Sequence, residues 1–417
     1  MSKLQPVRGT HDQLPEDSRR ARHVVETARE MSERYGFGEI ATPIFEFTDV
    51  FKRTLGDTSD VVTKEMYSFE DRGGEGLTLR PEYTAGIARA FISGGLSQQV
   101  PLKFFGHGPM FRYERPQKGR LRQFHQIDAE IIGVAGPQAD IEVIALGHDI
   151  LGALGVREQT TLELNTLGDV ESRNGYRDVL VEYFSAHLDK LSDDSKSRLT
   201  RNPMRILDSK DEGDRVLVAD APRMGDYLNN QSADFFGQVR EGLDNLGISY
   251  EVNQALVRGL DYYTHTAFEF TTTALGSQGA VIAGGRYDGL IELMGGPSTP
   301  GIGWAGGIER LAMLANADLP APRAIVIVPV GEAAMSKAMK IAHDLRQAGY
   351  VVDMGYSGNL AKRLKRANKQ DAIAAIMLGE DELAKGVATV RDLTSGDQSE
   401  VAYDQLVSAL DTFRQSQ

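Results

Sequence analysis

The sequence predicts an α+β fold in two parts: a long region in which helical and strand-like stretches are segregated, then a short tail in which they alternate. The tail gives the plainest signal. After a polar, proline-rich stretch at 318–323 (DLPAPR), AIVIVPV, an apolar-periodic helix, YVVDMGY, a basic helix and AIAAIMLG follow one another as in a small α/β domain. Two features mark the long region: a strand pair around a basic loop within 77–133, and a charge-dense, mainly helical stretch at 167–247 with strand signals on both sides. Domains of 1–320 and 323–417 are expected, the first with 168–247 as a helical insertion.

In chain order, Val24, Ala28, Met31 and Tyr35 fall at helical spacing within 17–35, and Gly36 and Gly38 end that helix. The segment 39–47 holds Pro43, which belongs at an edge or bulge. LKFFGHGPMFRYE and QFHQIDAEIIG flank RPQKGRLR, which fits two strands joined by a long basic loop. Tyr176, Leu180, Phe184 and Leu188 lie near helical spacing in the insertion, and strand signals return at 248–253 and 267–273. In the tail, 358–371 reads as an amphipathic helix, with Leu360, Leu364 and Ala367 inward and Lys362, Arg363, Lys365, Arg366 and Lys369 outward.

Composition bounds the function. Among 417 residues, 41% are hydrophobic and 25% charged, which excludes disorder and collagen-like repeats. There is no cysteine, so disulfides, thiolate zinc sites and cysteine nucleophiles are all excluded. No apolar run reaches membrane-spanning length and the opening residues are polar, so a cytoplasmic enzyme without membrane attachment is expected. The net charge is −13, but residues 323–417 carry twelve basic and twelve acidic side chains, so the whole excess lies in 1–322. Residues 361–370 hold five positive charges and no acid, a local contrast that suits a polyanion.

Four stretches carry chemistry. In FRYERPQKGRLRQFHQIDAE, the cations Arg112, Arg115, Lys118, Arg120 and Arg122 crowd together, and on a strand Arg112 and Glu114 would share a face. An arginine fork beside a carboxylate suits a phosphate-bearing ligand, and a solvated basic hairpin is the alternative. LVRGLDYYTHTAFEF sets Arg258 and Asp261 about a glycine before Tyr262 and Tyr263, as an active-site wall or a salt-bridged turn. AGGRYDGL has paired glycines that allow close backbone approach. In GIGWAGGIERLAML, glycines lead into a helix bearing Glu309 and Arg310. Its GIGWAG matches a dinucleotide fingerprint only formally, because no apolar strand precedes it and Asp318 follows too soon, so a dehydrogenase is set aside. No P-loop and no paired histidine spacing for a metal exist, and only His125, inside the arginine-rich stretch, stands out among the histidines.

Taken together and in this order, these stretches resemble the class II aminoacyl-tRNA synthetases, and within them the histidyl-tRNA synthetase family. The helix at 17–35 with Pro43 is similar to the first class II motif, FRYERP with RQF to the second and GGIERL to the third. LVRGLDYY, AGGRYDG, VRGTHD and LRPEYTAG resemble stretches particular to the histidine enzymes. The resemblance covers essentially the whole chain. It implies a six-stranded antiparallel catalytic sheet flanked by helices, a helical insertion, a C-terminal α/β anticodon-binding domain and a homodimer. The implied reaction is ATP-dependent charging of tRNA(His) with L-histidine through histidyl-adenylate, with Mg2+ accompanying ATP and no metal tightly held by side chains.

The resemblance also implies residue roles. Arg112 would hold the α-phosphate and Glu114 the adenine amine, Phe124 and Arg310 would sandwich the adenine, and Arg120 would reach the outer phosphates. Glu82, Thr84 and Gln126 would take the substrate ammonium. Glu130 and Tyr263 would read the imidazole, with Tyr262 and Tyr287 completing the pocket. Arg258 is the expected catalytic electrophile alongside Arg112. Gln117 and Lys118 would meet the acceptor end of the tRNA, and Lys362, Arg363, Lys365 and Arg366 the anticodon region. Tyr83, Tyr113 and Leu121 depart from the family pattern, Tyr83 adding bulk beside the ammonium site. A regulatory paralogue that partners ATP phosphoribosyltransferase is the rival reading, but it typically lacks the C-terminal domain and has eroded motifs.

Overall fold

A computed structural model describes residues 3–55, 61–117, 119–257, 262–276, 279–315 and 317–416, in two units, Met1–Ala317 and Asp318–Gln417. In the first, α1 (Pro15–Arg34), β1 (Gly38–Glu39), β2 (Phe45–Phe47) and α2 (Thr48–Leu55) lead into β3 (Tyr67–Glu70), β4 (Gly76–Leu79) and α3 (Thr84–Ser93). The long strands β5 (Leu102–Phe111) and β6 (Gln123–Ile132) follow, then α4 (Gln138–Ala153) and β7 (Thr161–Thr166). Next come α5 (Val170–Ser185), α6 (Asp193–Arg201), α7 (Glu212–Ala219) and α8 (Asn230–Asn245). The unit closes with β8 (Glu251–Val252), β9 (Thr264–Thr271), β10 (Ala280–Arg286), α9 (Leu290–Leu293), β11 (Gly301–Gly307) and α10 (Ile308–Ala315).

Its main sheet has the order β1-β5-β6-β11-β10-β9-β7-β8 among the described residues. The six inner strands pair antiparallel throughout, the sheet that the sequence led us to expect. Two short strands, β1 and β8, extend it at the edges in parallel, so the whole sheet is mixed. Parallel neighbours need long crossovers, and the chain between β1 and β5 and between β7 and β8 supplies them. The predicted strand pair is β5 and β6, in register from Leu102 opposite Ile132 to Phe111 opposite Gln123.

Helices α1, α4, α8 and α10 cover one face of this sheet, while α3 and α9 pack against part of the other. Val24 and Ala28 of α1, Ile144 and Leu151 of α4, and Val239 and Leu243 of α8 form one core with Ile127, Phe268 and Trp304 of the strands. The predicted stripe of α1 therefore faces the core. In the insertion Tyr176, Leu180 and Phe184 are buried as expected, in a cluster with Leu199, Ile206 and Leu217. Leu188 is exposed, because α5 ends at Ser185 and the stripe stops with it. The last helix of the predicted insertion, α8, packs on the main core, while α5 to α7 share a separate one.

A second, small sheet has the order β2-β4-β3. Glu46 and Thr78 point inward and are buried, while Phe45, Phe47 and Phe69 are 54%, 56% and 47% exposed.

The second unit runs β12 (Ile325–Pro329), α11 (Ala333–Gln347), β13 (Val352–Met354), α12 (Leu360–Lys369), β14 (Ala374–Leu378), β15 (Val387–Asp392) and β16 (Gln398–Ala402). The first three strands are parallel, as the alternation predicted, and β15 and β16 add an antiparallel edge that it did not. Asn359 caps α12, its Oδ1 accepting the Lys362 N–H at 3.0 Å. Ala367 is buried and Leu364 half-buried, but Leu360, expected inward, is exposed on the first turn. Among the described residues no helix is long and apolar enough to cross a membrane.

Candidate active site

Strand β6 has two chemically distinct faces. Ile127, Ala129 and Ile131 enter the helix-covered core, so Gln126, Asp128 and Glu130 face the other way. Gln126 and Asp128 of that polar face line a cavity of about 840 Å³, and Glu130 lies behind its wall, bonded to Thr84 and Tyr287, which line it. The cavity is also lined by Glu82 and Thr84 around the start of α3, by Arg112, Glu114, Arg120 and Phe124, by Tyr262, Tyr263 and Tyr287, and by Arg310.

One cluster is built of acids and hydroxyls. Glu130 is 1% exposed. Its Oε1 accepts the Thr84 hydroxyl at 2.5 Å and its Oε2 the Tyr287 hydroxyl at 2.5 Å. Gly303 lies opposite Glu130 on β11, and a Cβ there would overlap the carboxylate, so glycine is what lets the side chain fit. Burial pushes the Glu130 carboxyl up to about 8, while the two hydroxyls pull it down. Glu82 accepts the Ala85 N–H at 3.3 Å in the first turn of α3 and the Tyr262 hydroxyl at 3.0 Å. The Tyr262 ring lies 4.6 Å from that of Tyr263 and 5.9 Å from that of Tyr287. Burial, followed by the neighbouring carboxylates, raises the Tyr262 and Tyr287 phenols, so both remain hydroxyl donors at neutral pH.

The other cluster is cationic. Arg112 lies just past the end of β5, so its nearness to Glu114 comes from an irregular turn and not from the strand alternation expected for them. The Arg112 Nε donates to the Pro81 carbonyl at 2.8 Å, and its guanidinium lies 5.3 Å over the Phe124 ring. Glu114 is ion-paired with Arg120. Arg310 donates from Nε to the Gly119 carbonyl at 3.1 Å and from Nη1 to the Ala280 carbonyl. Burial, then the charge of Arg120, holds the Arg310 guanidinium below its ordinary value. Such crowding of cations is relieved by an anion. Arg112 belongs electrostatically to both clusters, because its charge reaches Arg310 on one side and Asp128 on the other.

Arg258 and Asp261 lie outside the described residues, as does Lys118; Gln117 bridges to Arg120 in the turn between β5 and β6. His125 is held to Glu309, with Nδ1 2.7 Å from its Oε1. Tyr83 does not crowd the ammonium site as expected. Its ring packs on Gly106 in the core and its hydroxyl donates to the Ile40 carbonyl at 3.1 Å. Tyr113 is exposed, with the Arg122 guanidinium 3.8 Å over its ring, and Leu121 lines the cavity. GIGWAG runs along β11 and is no strand-to-helix turn, so the dehydrogenase reading finds no phosphate-binding loop there. On α12, Lys362, Lys365, Arg366 and Lys369 are exposed, but Arg363 turns back to donate to the Pro329 carbonyl. Sequence reasoning missed Asp128, although its place midway between Gln126 and Glu130 on an alternating strand was a legible signal. It also missed Arg198, Arg205 and Lys210 of the insertion, which line the same cavity and which only the tertiary fold brings there.

A sequence profile of the histidyl-tRNA synthetase family matches residues 9–311, most of the chain. The chain belongs to the histidyl-tRNA synthetase family. An anticodon-binding domain profile matches residues 324–412. The histidine–tRNA ligase of Rhodospirillum rubrum is 64% identical over 414 residues, covering 99% of this chain and all of that one. That of Gluconacetobacter diazotrophicus is 59% identical over 410 residues, 98% of this chain and 99% of its own. Apo histidyl-tRNA synthetase of S. aureus superposes with a TM-score of 0.81 at 36% identity, over 98% of this chain and 99% of that chain. The α+β fold is thus that of a class II histidyl-tRNA synthetase, with a large mixed catalytic sheet and a C-terminal unit that has its own sheet.

Proposed function

We propose that the chain charges tRNA(His) with L-histidine in two ATP-dependent steps, through histidyl-adenylate. The observation that carries this reading is the pairing of an acid-and-hydroxyl cluster with an arginine cluster in one cavity, with Arg112 felt by both. The first suits an amino acid bearing an ammonium and a ring N–H, and the second a nucleoside triphosphate, entering with its Mg2+ as substrate. Where they meet, the histidine carboxylate can attack the α-phosphorus in line, forming histidyl-adenylate as the bond to pyrophosphate breaks; the terminal ribose hydroxyl of the tRNA then takes the histidyl group and AMP leaves.

Charge then develops on the nonbridging phosphoryl oxygens, and fixed guanidinium groups favour it because they need no reorganisation. Arg112 and Arg258 take that part. Phe124 and Arg310 stack on the adenine, Glu114 accepts from its amine and Arg120 meets the outer phosphates. Glu82, Thr84 and Gln126 receive the ammonium. Glu130 and Tyr263 read the imidazole, with Tyr262 and Tyr287 closing the pocket, and buried polar partners of this kind reject side chains without ring N–H groups. Gln117 and Lys118 would approach the acceptor end.

In this reading 1–320 works as the catalytic domain, carrying the insertion 168–247, and 323–417 works as the anticodon-binding domain. There the cations of α12 approach the tRNA, Arg363 mainly by holding the helix to Pro329. A cytoplasmic homodimer completes the reading, and the outward aromatic face of β2 and β3 supports it: apolar side chains turned to solvent while Glu46 and Thr78 turn inward is the pattern of a covered surface. The tail matched as an anticodon-binding domain and the intact Arg112 and Arg310 favour the synthetase over the regulatory paralogue.

Arg258→Ala tests the chemistry. We expect it to lower kcat for adenylate formation by about a hundredfold or more, with KM for histidine and ATP changed by only about threefold. Near-normal turnover would remove Arg258 from its assigned role.

A further inference from the structure

The face of β6 offers one carboxylate that the roles above leave idle. Asp128 is 1% exposed and lines the cavity. Among the described residues neither of its oxygens has a hydrogen-bond partner, and neither does the Oε1 of Gln126, two residues away on the same strand face. A buried acceptor without a donor is costly, and two side by side point to a donor that arrives from outside.

Among the described residues the nearby cations, Arg80 and Arg112, do not serve. Arg80 spends Nε on the Pro109 carbonyl and Nη1 on the Thr42 carbonyl and hydroxyl, and Arg112 spends Nε on the Pro81 carbonyl. Both act on Asp128 only through space, against the repulsion of Glu130 and Glu82 and the burial that raises its carboxyl well above the usual range. The missing donor is therefore rich in N–H, and a positive charge on it would also offset the mutual repulsion of Asp128, Glu130 and Glu82.

We propose that Asp128 is a further ammonium-binding residue, accepting one N–H of the substrate's α-ammonium beside Gln126 and Glu82. An ammonium has three donors; Glu82, Gln126 and Asp128 offer an acceptor each, and Thr84, whose hydroxyl hydrogen goes to Glu130, stands beside them. Asp128 thereby makes the site demand the amine as well as the ring. The inference rests on the histidine reading of the cavity and adds to it a selectivity for the charged amine.

The test is calorimetric titration of the full chain and of Asp128→Asn and Asp128→Ala with three probes: histidine, histidinol, which keeps amine and ring without the carboxylate, and 3-(imidazol-4-yl)propionate, which lacks the amine. We expect Asp128→Asn to weaken histidine and histidinol by about tenfold or more while the propionate changes by less than about twofold. The ratio between probes is internal to each sample, so a partly unfolded Asp128→Ala preparation does not obscure it. Equal weakening of all three probes, or no change in any, overturns the role of Asp128. Failure of the unaltered protein to bind histidine or histidinol would instead overturn the histidine reading, and this inference with it.

Discussion

Glu130 shows how a single side chain can be tuned by what surrounds it. The folded protein holds its proton up to about 8, against the usual 4.5, chiefly because the carboxyl is buried. The folded state therefore binds a proton that the unfolded chain has released, so the contribution of Glu130 to stability declines as pH rises from about 4.5 through about 8. Replacing it with glutamine removes that term. We expect the melting temperature of Glu130→Gln to gain on that of the unaltered protein steadily across this window, read by differential scanning calorimetry; a constant difference between them would contradict the assignment. At this scale the sequence was informative where residue type alone signals chemistry: Arg112, Glu114, Arg120 and Phe124 stand out as a crowded, charged run and do line one cavity. It was silent where chemistry depends on what lies across the fold. The tie of Glu130 to Thr84 and Tyr287 joins residues 46 and 157 positions apart, and the inward turn of Tyr83 follows from space over Gly106.

Elements read well wherever one face is buried, because burial writes its period into the sequence. The stripe of α1 and the alternation of β5 and β6 were legible for that reason. Ends were harder, since the stopping of α5 before Leu188 is set by local chain geometry. The membership of α8 in the main core was hidden too, because an apolar stripe does not say which surface it meets. The small sheet carries a different message. Phe47 and Phe69 both pair with Leu77 of β4, so they share one outward face beside Phe45. If that face is covered by a second copy of the chain, a charge there is buried without a partner and the dimer fails. We expect Phe47→Lys with Phe69→Lys to sediment as a monomer with unchanged circular dichroism, from a parent that sediments as a dimer. A parent that is itself monomeric, or a double variant that still dimerises, would rule out this interface.

At the scale of the whole molecule, charge is divided unevenly. The acidic excess of −13 lies entirely in 1–322, which repels a polyanion at long range, while the balanced tail concentrates five cations within 361–370. In the proposed reading the tail's outward Lys362, Lys365, Arg366 and Lys369 would give a nucleic acid a local foothold that net charge alone would deny, and the cavity of the first unit would handle the small substrates by itself. Chemistry that needs only that cavity should therefore proceed without tRNA. The most direct test is ATP–pyrophosphate exchange by the purified full chain with Mg2+ and no tRNA, run with each of the twenty amino acids. The account predicts exchange with histidine and with no other amino acid. A folded sample that exchanges with none of them, or that exchanges as readily with another amino acid, would contradict it.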